Sequence, residues 1–163
     1  MKPVLNMASV PLVTQVHGDK FEAQFGQFGP HIGAEQLGCR LVIVPPGKRA
    51  WPYHSHHANE EMFVILDGTG TLRFGGAEYP LRVGDVVACP AGGAETAHQI
   101  INTGETELRY LAISTMQQPD IGEYPDSRKF AVISGSAPGG DQEKRRMWYV
   151  GRPDGCLDYW DGE

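Results

Sequence analysis

Residues 53–74 read YHSHHANEEMFVILDGTGTLRF, a histidine-rich segment followed by two apolar runs. The runs EMFVIL (61–66) and TLRF (71–74) contain β-branched and aromatic residues, which favour strands. The intervening DGTG is typical of a turn, so the two runs are predicted to pair as a β-hairpin. The histidines therefore lie where an irregular segment enters a strand.

Glycine and proline interrupt the rest of the chain too often for long helices, with 21 Gly and 12 Pro among 163 residues. The remaining runs are short and β-rich, which is typical of a β-sandwich or barrel and not of βαβ units. Pro80 indicates an edge strand or a bulge, because proline donates no ladder hydrogen bond. ELRYLAIS (107–114) fits both a helix and a strand. Further strands are predicted at FEAQF (21–25), CRLVIV (39–44), EYPLRV (78–83), VVAC (86–89) and HQIIN (98–102).

Two of these runs, LVIV (41–44) and MFVIL (62–66), are apolar on both faces. One face is predicted to line the core, and the other needs a second sheet or a second subunit. After Met116 the sequence becomes rich in turn residues, and SGSAPGG (134–140) is predicted to be a flexible loop. The following DQEKRRMWYV (141–150) fits a short helix or a final strand.

Composition excludes several classes of function. The 14 Lys and Arg against 20 Asp and Glu give a net charge of −6, which disfavours nucleic-acid binding and binding to an anionic membrane surface. No apolar run is long enough to span a bilayer, and the N-terminus is a poor signal peptide, so a cytoplasmic protein is expected. The three cysteines form no CxxC motif, so neither a disulfide framework nor a zinc ribbon is predicted.

The spacing of the histidines is compatible with a metal site. In a strand, His54 and His56 project from the same face while His57 points away. A turn after His57 could direct Glu61 into the same pocket, and His98 could supply a fourth ligand. Three imidazoles and one carboxylate suit a divalent transition metal such as Zn, Mn, Fe, Ni, Co or Cu. A solvated loop, or a helix pairing histidines with glutamates four residues apart, remains an alternative on spacing alone.

A wider pattern resembles the two motifs of the cupin superfamily. Residues 47–68, GKRAWPYHSHHANEEMFVILDG, resemble the first motif, in which a glycine precedes an HxH pair, a glutamate and a second glycine. Residues 84–102, GDVVACPAGGAETAHQIIN, resemble the second, with Gly, PxG, His and Asn in order. This sequence has six residues instead of five before His54, and five instead of two between Gly92 and His98.

The resemblance implies an all-β fold, a cupin-type double-stranded β-helix or antiparallel jelly-roll barrel, with N- and C-terminal extensions. It divides the chain into residues 1–37, an extension whose strands join the barrel, 38–116, the barrel core, and 117–163, an extension packing on the barrel or on a partner subunit. It also implies a homodimer that binds a small molecule, and one metal ion (Zn, Mn, Fe or Ni) held by His54, His56, Glu61 and His98.

Cupins catalyse many reactions, so the fold does not define the function. The expected activity is a metal-dependent isomerase of a sugar or sugar phosphate, which the resemblance to small cupins of that type implies. Glu61 would serve as the base and Tyr53 as a proton relay. The phosphate would be bound by basic residues near the first motif, although each could be an ordinary surface charge: Lys48, Arg49 and Arg40. The alternatives are an Fe- or Ni-dependent dioxygenase, favoured by an aromatic pocket, and a binding protein without turnover.

Overall fold

The computed structural model describes residues 2–163, which form thirteen strands, one single-turn α-helix and five short 3-10 helices. The strands are β1 (Val13–His17), β2 (Phe21–Gln27), β3 (Leu37–Val44), β4 (Ser55–His56), β5 (Glu61–Asp67), β6 (Thr69–Phe74), β7 (Ala77–Arg82), β8 (Val86–Cys89), β9 (His98–Ile101), β10 (Leu108–Thr115), β11 (Asp120–Tyr124), β12 (Lys129–Ser134) and β13 (Met147–Gly151). The helices are α1 (Gly29–Ile32) and the 3-10 helices Met7–Ser9, Ala94–Thr96, Pro125–Ser127, Gln142–Lys144 and Pro153–Gly155. None of the helices in residues 2–163 combines the length and hydropathy needed to cross a bilayer.

The strands form three antiparallel sheets, in the orders β1-β2-β3-β10-β5-β8, β7-β6-β9 and β13-β12-β11-β4. The main core lies between the six-stranded and three-stranded sheets. It joins Val42, Ile65 and Tyr110 of the larger sheet to Leu72 and Ile100 of the smaller one. This arrangement confirms the predicted all-β fold of double-stranded β-helix type, although the sheets do not close into a continuous barrel.

A second apolar cluster covers the outer face of β3. Leu41 and Ile43 point away from the main core and pack with Val10 and Phe28. The N-terminal segment and the residues around α1 therefore cover this face from within the same chain. The sequence predicted that a second sheet or a second subunit would cover this face of β3. Neither does so, because an irregular segment of the same chain supplies the apolar side chains.

The predicted hairpin between EMFVIL and TLRF is wrong. β5 pairs with β10 and β8, whereas β6 pairs with β7 and β9, so the two consecutive strands belong to different sheets. The chain turns this corner at Gly68, whose φ is +79°. A Cβ there would collide with the carbonyl oxygen of Glu107, so the corner requires glycine.

Other local predictions are confirmed. Each predicted run forms a strand, ELRYLAIS is β10, and the C-terminal MWYV forms β13. Pro80 lies on β7, an edge strand of its sheet, as proline requires. The sequence missed β1, β4, β11 and β12. The first is exposed along its whole length, and β4 has only two residues, so neither carries the apolar alternation that marks a strand.

Candidate metal centre

Backbone pairing sets the positions of the histidines. His54 and His98 face each other across an antiparallel bridge, with His54 N donating to His98 O at 3.1 Å and His98 N donating to His54 O at 2.8 Å. Two residues later, His56 lies on β4 opposite Gly122 of β11. The HxH segment thus passes from the edge of one sheet to the edge of another. Directly opposed residues project their side chains to the same side, which brings the rings together.

The loop from His57 to Glu60 turns the chain so that Glu61 begins β5 beside the histidines. Asn59, buried within this loop, accepts hydrogen bonds from Gln117 N (2.8 Å) and Thr115 Oγ1 (3.2 Å). Asp120 accepts a hydrogen bond from Ala58 N at 2.9 Å. These contacts fix the loop on the C-terminal extension, because a buried polar group needs its partners.

The side chains of His54, Glu61 and His98 each offer a ligand atom, and these atoms all lie within 4.8 Å of one another. His98 Nε2 lies 2.8 Å from Glu61 Oε2, and His56 Nε2 lies 3.9 Å from the same oxygen. The ring of His54 is 4.9 Å from the ring of His56 and 4.9 Å from that of His98, measured between centroids. The three imidazoles and the carboxylate that the sequence singled out therefore converge.

Each of the three imidazoles is held through its Nδ1 atom. His54 Nδ1 donates to Pro52 O at 2.8 Å, and His98 Nδ1 donates to Thr96 O at 3.2 Å. His56 Nδ1 donates to Asp120 Oδ2 at 2.7 Å. Such partners fix the orientation of each ring and direct its Nε2 toward the cluster, where it would bind a metal.

Electrostatics favour the ligand forms of His54 and Glu61. Burial, together with the neighbouring His56 and His98, lowers the pKa of His54 to about 3, so its imidazole is neutral at pH 7. Burial alone would raise the pKa of Glu61. The hydrogen bond from His98 and the neighbouring histidines outweigh burial and lower that pKa to about 2. A neutral imidazole and an ionised carboxylate are the forms that bind a metal.

The donor set fits a divalent transition metal. Ligand atoms about 2.0–2.2 Å from one ion lie roughly 3 Å from one another in neighbouring positions, close to the 2.8 Å that separates His98 Nε2 from Glu61 Oε2. Imidazole nitrogen with carboxylate oxygen suits zinc, manganese, iron and nickel alike, so the identity of the metal does not follow from the ligands.

The cluster lies at the floor of a cavity of about 480 Å³. Aromatic side chains form much of its wall: Phe25, Trp51, Phe63, Tyr110, Tyr124 and Trp148. A neighbouring cavity of about 640 Å³ shares Gln27, Arg40 and Glu61 with it. The cluster is therefore accessible to a small molecule, which would contact both the donor groups and an apolar wall.

Of the three basic residues singled out for phosphate binding, only Arg40 lines this cavity. Its guanidinium stacks on Trp51 at 5.3 Å, and burial lowers its pKa. Lys48 Nζ donates to the carbonyl oxygen of Asp19 at 2.7 Å, and neither Lys48 nor Arg49 lines the cavity. Nearness in sequence to His54 did not bring the side chains of Lys48 and Arg49 into the cavity, so phosphate binding by these two residues stays a prediction without support from the cavity lining.

Tyr53 does not line the cavity either. Its hydroxyl accepts a hydrogen bond from Gly76 N at 3.1 Å, and the Arg73 guanidinium covers its ring at 4.2 Å. The proton-relay role of Tyr53 therefore stays a prediction that these contacts do not support. Two other tyrosines line the cavity, Tyr110 of β10 and Tyr124 of β11, and the ring of Tyr124 stacks on His54 with centroids 6.0 Å apart.

Sequence reasoning missed Asp120 and Tyr124. Both lie in a segment, PDIGEYPDSRKF, that looked like a string of turns, and Asp120 is 64 residues from His56. His57 points outward, as its place in the HxH segment predicts, and contacts Glu123 at 2.7 Å. Asn102 is a structural residue that donates to the carbonyl oxygens of Val44 and Thr106 at 2.8 Å each.

Comparison with known proteins identifies similar chains. The family model described as Cupin domain matches residues 40–114. The chain is similar to a solved structure from Acidithiobacillus ferrooxidans given provisionally as a sugar phosphate isomerase, with 26% identity, a TM-score of 0.80 and 96% of each chain covered. A second solved structure, a sugar phosphate isomerase of the cupin superfamily from Silicibacter pomeroyi, shares the fold, with 23% identity, a TM-score of 0.76 and 98% of each chain covered.

Two curated relatives match over shorter stretches. The oxalate-binding protein of Thermotoga maritima is 36% identical over 78 residues, which cover 48% of this chain and 60% of the relative. Auxin-binding protein 1 of Arabidopsis thaliana is 32% identical over 103 residues, covering 58% of this chain and 50% of the relative. The chain thus spans only 50–60% of the length of these two relatives.

Proposed function

Because the chain carries a cupin domain over residues 40–114, we propose that it is a metal-dependent isomerase acting on a sugar or sugar phosphate. His54, His56, Glu61 and His98 hold one divalent transition metal, which is zinc, manganese, iron or nickel. The observation that carries this proposal is the convergence of these four side chains, with each imidazole anchored through Nδ1, at the floor of a cavity open to small molecules. The similarity to the Acidithiobacillus ferrooxidans protein supports the choice of reaction.

A divalent metal held in this position supplies Lewis-acid polarisation of a carbonyl and its neighbouring hydroxyl. The residues around it do the rest. Glu61 accepts the proton that moves between adjacent carbons of the substrate, because it is the ionised carboxylate at the floor of the cavity. Burial, with the Glu61 carboxylate nearby, raises the pKa of Tyr110, so its phenol stays protonated and donates a hydrogen bond to a substrate oxygen.

Arg40 binds the anionic group of the substrate. Its guanidinium lines the cavity with its face against Trp51, which leaves its N–H edge free to bind a phosphate or carboxylate. A planar guanidinium suits such groups, since it can form two parallel hydrogen bonds to their oxygens. Aromatic contact with the carbon skeleton comes from the wall of the cavity, with Phe63 close to the ring of His98.

A second candidate function is the binding of a small carboxylic acid without turnover. The 36% identity with an oxalate-binding protein favours it, and a dicarboxylate could occupy the metal and Arg40 together. An Fe- or Ni-dependent dioxygenase is the other alternative, favoured by the aromatic wall of the cavity. Arg40 supports the isomerase over the dioxygenase, because a cation in the cavity suits an anionic substrate.

The test combines elemental analysis of the purified chain with an activity screen on hexose phosphates. We expect one metal ion per chain and interconversion of an aldose phosphate and its ketose partner that stops on removal of the metal by a chelator. His57→Ala is the matched control, because His57 points away from the cluster.

The screen also separates the alternatives. Bound iron together with oxygen uptake on an enediol or catechol-like substrate would reject the isomerase in favour of the dioxygenase. Binding of oxalate with full metal content and no turnover of any hexose phosphate would favour the binding protein. A chain without stoichiometric metal would contradict the whole proposal.

The predicted homodimer remains part of the proposal. Exposed apolar side chains on the outer strand β1, Val13 at 60% and Val16 at 62%, support it, because a monomer gains nothing by exposing them. Light scattering after size-exclusion chromatography measures the mass directly. A mass of 17.8 kDa, that of one chain, would contradict the dimer.

A further inference from the structure

The C-terminal extension forms a roof over the cavity that holds the His–Glu cluster. We define the roof as residues 138–148. Six residues of the roof line the cavity: Pro138, Gly139, Gly140, Gln142, Arg145 and Trp148. All of them except Trp148 precede β13. Gln27 Nε2 donates to the carbonyl oxygen of Gly139 at 2.7 Å, which ties the roof to β2. Gly139 packs so closely on the Arg40 guanidinium that a Cβ there would collide with it. The roof is therefore part of the cavity wall.

Two arginines face this cavity from different parts of the chain. Arg40 lies on β3 and stacks on Trp51 and Phe25, and Arg145 lies on the roof and stacks on Trp148 at 4.6 Å. Stacking satisfies the face of a guanidinium but not the N–H groups at its edge. In residues 2–163 the Nε of Arg145 is buried without a hydrogen-bond partner, and no ion pair forms at Arg40 or Arg145.

Three arginines outside this cavity have carboxylate partners, although the Nε of Arg49, like that of Arg145, is buried without a hydrogen-bond partner in the part of the chain that the structure describes. Arg73, Arg82 and Arg109 each form an ion pair with a carboxylate, at 2.9, 3.8 and 3.2 Å respectively. The cavity offers its two arginines a single carboxylate, Glu61, which already accepts a hydrogen bond from His98. Arg40 and Arg145 carry two positive charges, and the one carboxylate near them already has a hydrogen-bond partner. The partly buried cavity therefore holds uncompensated positive charge, which is unfavourable until an anion enters.

We propose that Arg40 and Arg145 together bind the anionic group of the substrate, so that the C-terminal extension supplies half of the anion site. This inference rests on the proposed function in one respect, namely that the reacting oxygens of the same substrate lie at the His–Glu cluster. The charge balance favours a group of charge −2, either a phosphate monoester or a dicarboxylate. Both bind a guanidinium edge through paired oxygens.

The experiment is isothermal titration calorimetry on the full chain, once with added Mn²⁺ and once after chelation. The probes are fructose 6-phosphate, inorganic phosphate, neutral fructose and oxalate. We expect fructose 6-phosphate to bind more than 10-fold tighter than fructose. Arg145→Gln and Arg40→Gln should each weaken its binding by about 10- to 100-fold, the range of hydrogen bonds to charged groups.

The neighbouring Arg146→Gln is the matched control, because Arg146 is exposed and does not line the cavity. Arg40→Lys, which keeps the charge, replaces Arg40→Gln should the latter unfold, and it should retain part of the affinity. Oxalate binding with the same dependence on both arginines would support the anion site while overturning the sugar-phosphate part of the proposed function.

Two results would overturn the inference whatever the enzyme activity. The first is Arg145→Gln binding fructose 6-phosphate as tightly as the unmodified chain. The second is a folded, metal-loaded chain that binds none of the anionic probes. Conversely, loss of anion binding in Arg145→Gln alongside an absence of isomerase activity in the unmodified chain would uphold the anion site and reject the reaction.

Discussion

The His–Glu cluster and the roof above it are built in opposite ways. In the cluster, His54 and His98 are paired through their backbones, and every imidazole is anchored through its Nδ1 atom. In the roof, residues 141–144 are exposed, and the segment is held near its two ends, by the hydrogen bond from Gln27 to Gly139 and by the pairing of Met147 and Trp148 with β12. Strand pairing and side-chain hydrogen bonds thus fix the floor of the cavity, while the middle of its ceiling is exposed.

This difference assigns different tasks to the two regions. A metal requires donor atoms held within a few tenths of an ångström, which paired strands supply. A substrate requires a wall that can admit it and then enclose it, and segments with few buried contacts open at low cost. The chain therefore places its fixed chemistry in the core and its adjustable surface in the extension.

The largest effect is expected from His98→Ala, which removes one donor atom and the hydrogen bond to Glu61. Loss of a direct ligand should exceed the 10- to 100-fold cost of losing a supporting partner, so metal affinity should fall by more than about 100-fold. Elemental analysis after gel filtration measures it, with His57→Ala as the control. Full metal content in His98→Ala would show that the cluster is not the metal site.

The contrast in packing predicts the next largest effect. Ile65 is 1% exposed in the main core, and Ile65→Ala should lower the free energy of unfolding by about 2–5 kcal/mol. Trp160 in the C-terminal tail is 71% exposed, and Trp160→Ala should change it by less than about 0.5 kcal/mol. Urea denaturation measures both. A large loss in Trp160→Ala would mean that the tail packs on a partner.

Asp120→Asn tests whether the extension also supports the cluster. The substitution keeps the shape of the side chain but removes the carboxylate charge that His56 Nδ1 contacts at 2.7 Å. Metal affinity should fall by about 10- to 100-fold while the chain stays folded. A competition assay with a chelating dye measures this, and Asp126→Asn is the control outside the cluster. An unchanged affinity would confine the metal site to residues 38–116.

The smallest effect concerns an ion pair outside both regions, between Arg73 of β6 and Asp126 of the C-terminal extension. The hydrogen bond from Arg73 lowers the pKa of Asp126 below its ordinary 3.8, although Asp126 is 58% exposed. Because the unfolded chain takes up this proton first, the contribution of the pair is complete above about pH 4 and is lost as pH falls through the lowered pKa. Its magnitude at such exposure is about 0–1 kcal/mol.

Asp126→Asn should therefore lower the melting temperature slightly at pH 7, and the difference should shrink as the pH falls below 3.8. Thermal melts of both chains at a series of pH values measure the difference. A difference that persists at the lowest pH would mean that the carboxylate charge is not what Arg73 recognises.

Side-chain alternation along a strand made the shared direction of His54 and His56 predictable from the sequence. It also explains why Tyr53, which the sequence analysis added to the site, lies outside the cavity. His54 and His56 are two residues apart and face one cavity, whereas Tyr53 is one residue away and faces elsewhere. On β3 the same alternation places Arg40 on the inward face that also carries Val42. As a candidate anion-binding residue, the rule would therefore have favoured Arg40 over Lys48 and Arg49. Nearness along the chain was the weaker guide.

The amino-acid sequence by itself determined most of the strands, β2, β3 and β5–β10, and the ligand spacing of His54 and His56, because both follow from the local apolar pattern and its period. Only the tertiary structure decided that β5 and β6 separate into different sheets, and that Asp120 and Arg145 reach the cavity. Those features depend on hydrogen bonds and packing between segments tens of residues apart. No local pattern encodes such contacts, since many partners would satisfy the same strand edge equally well.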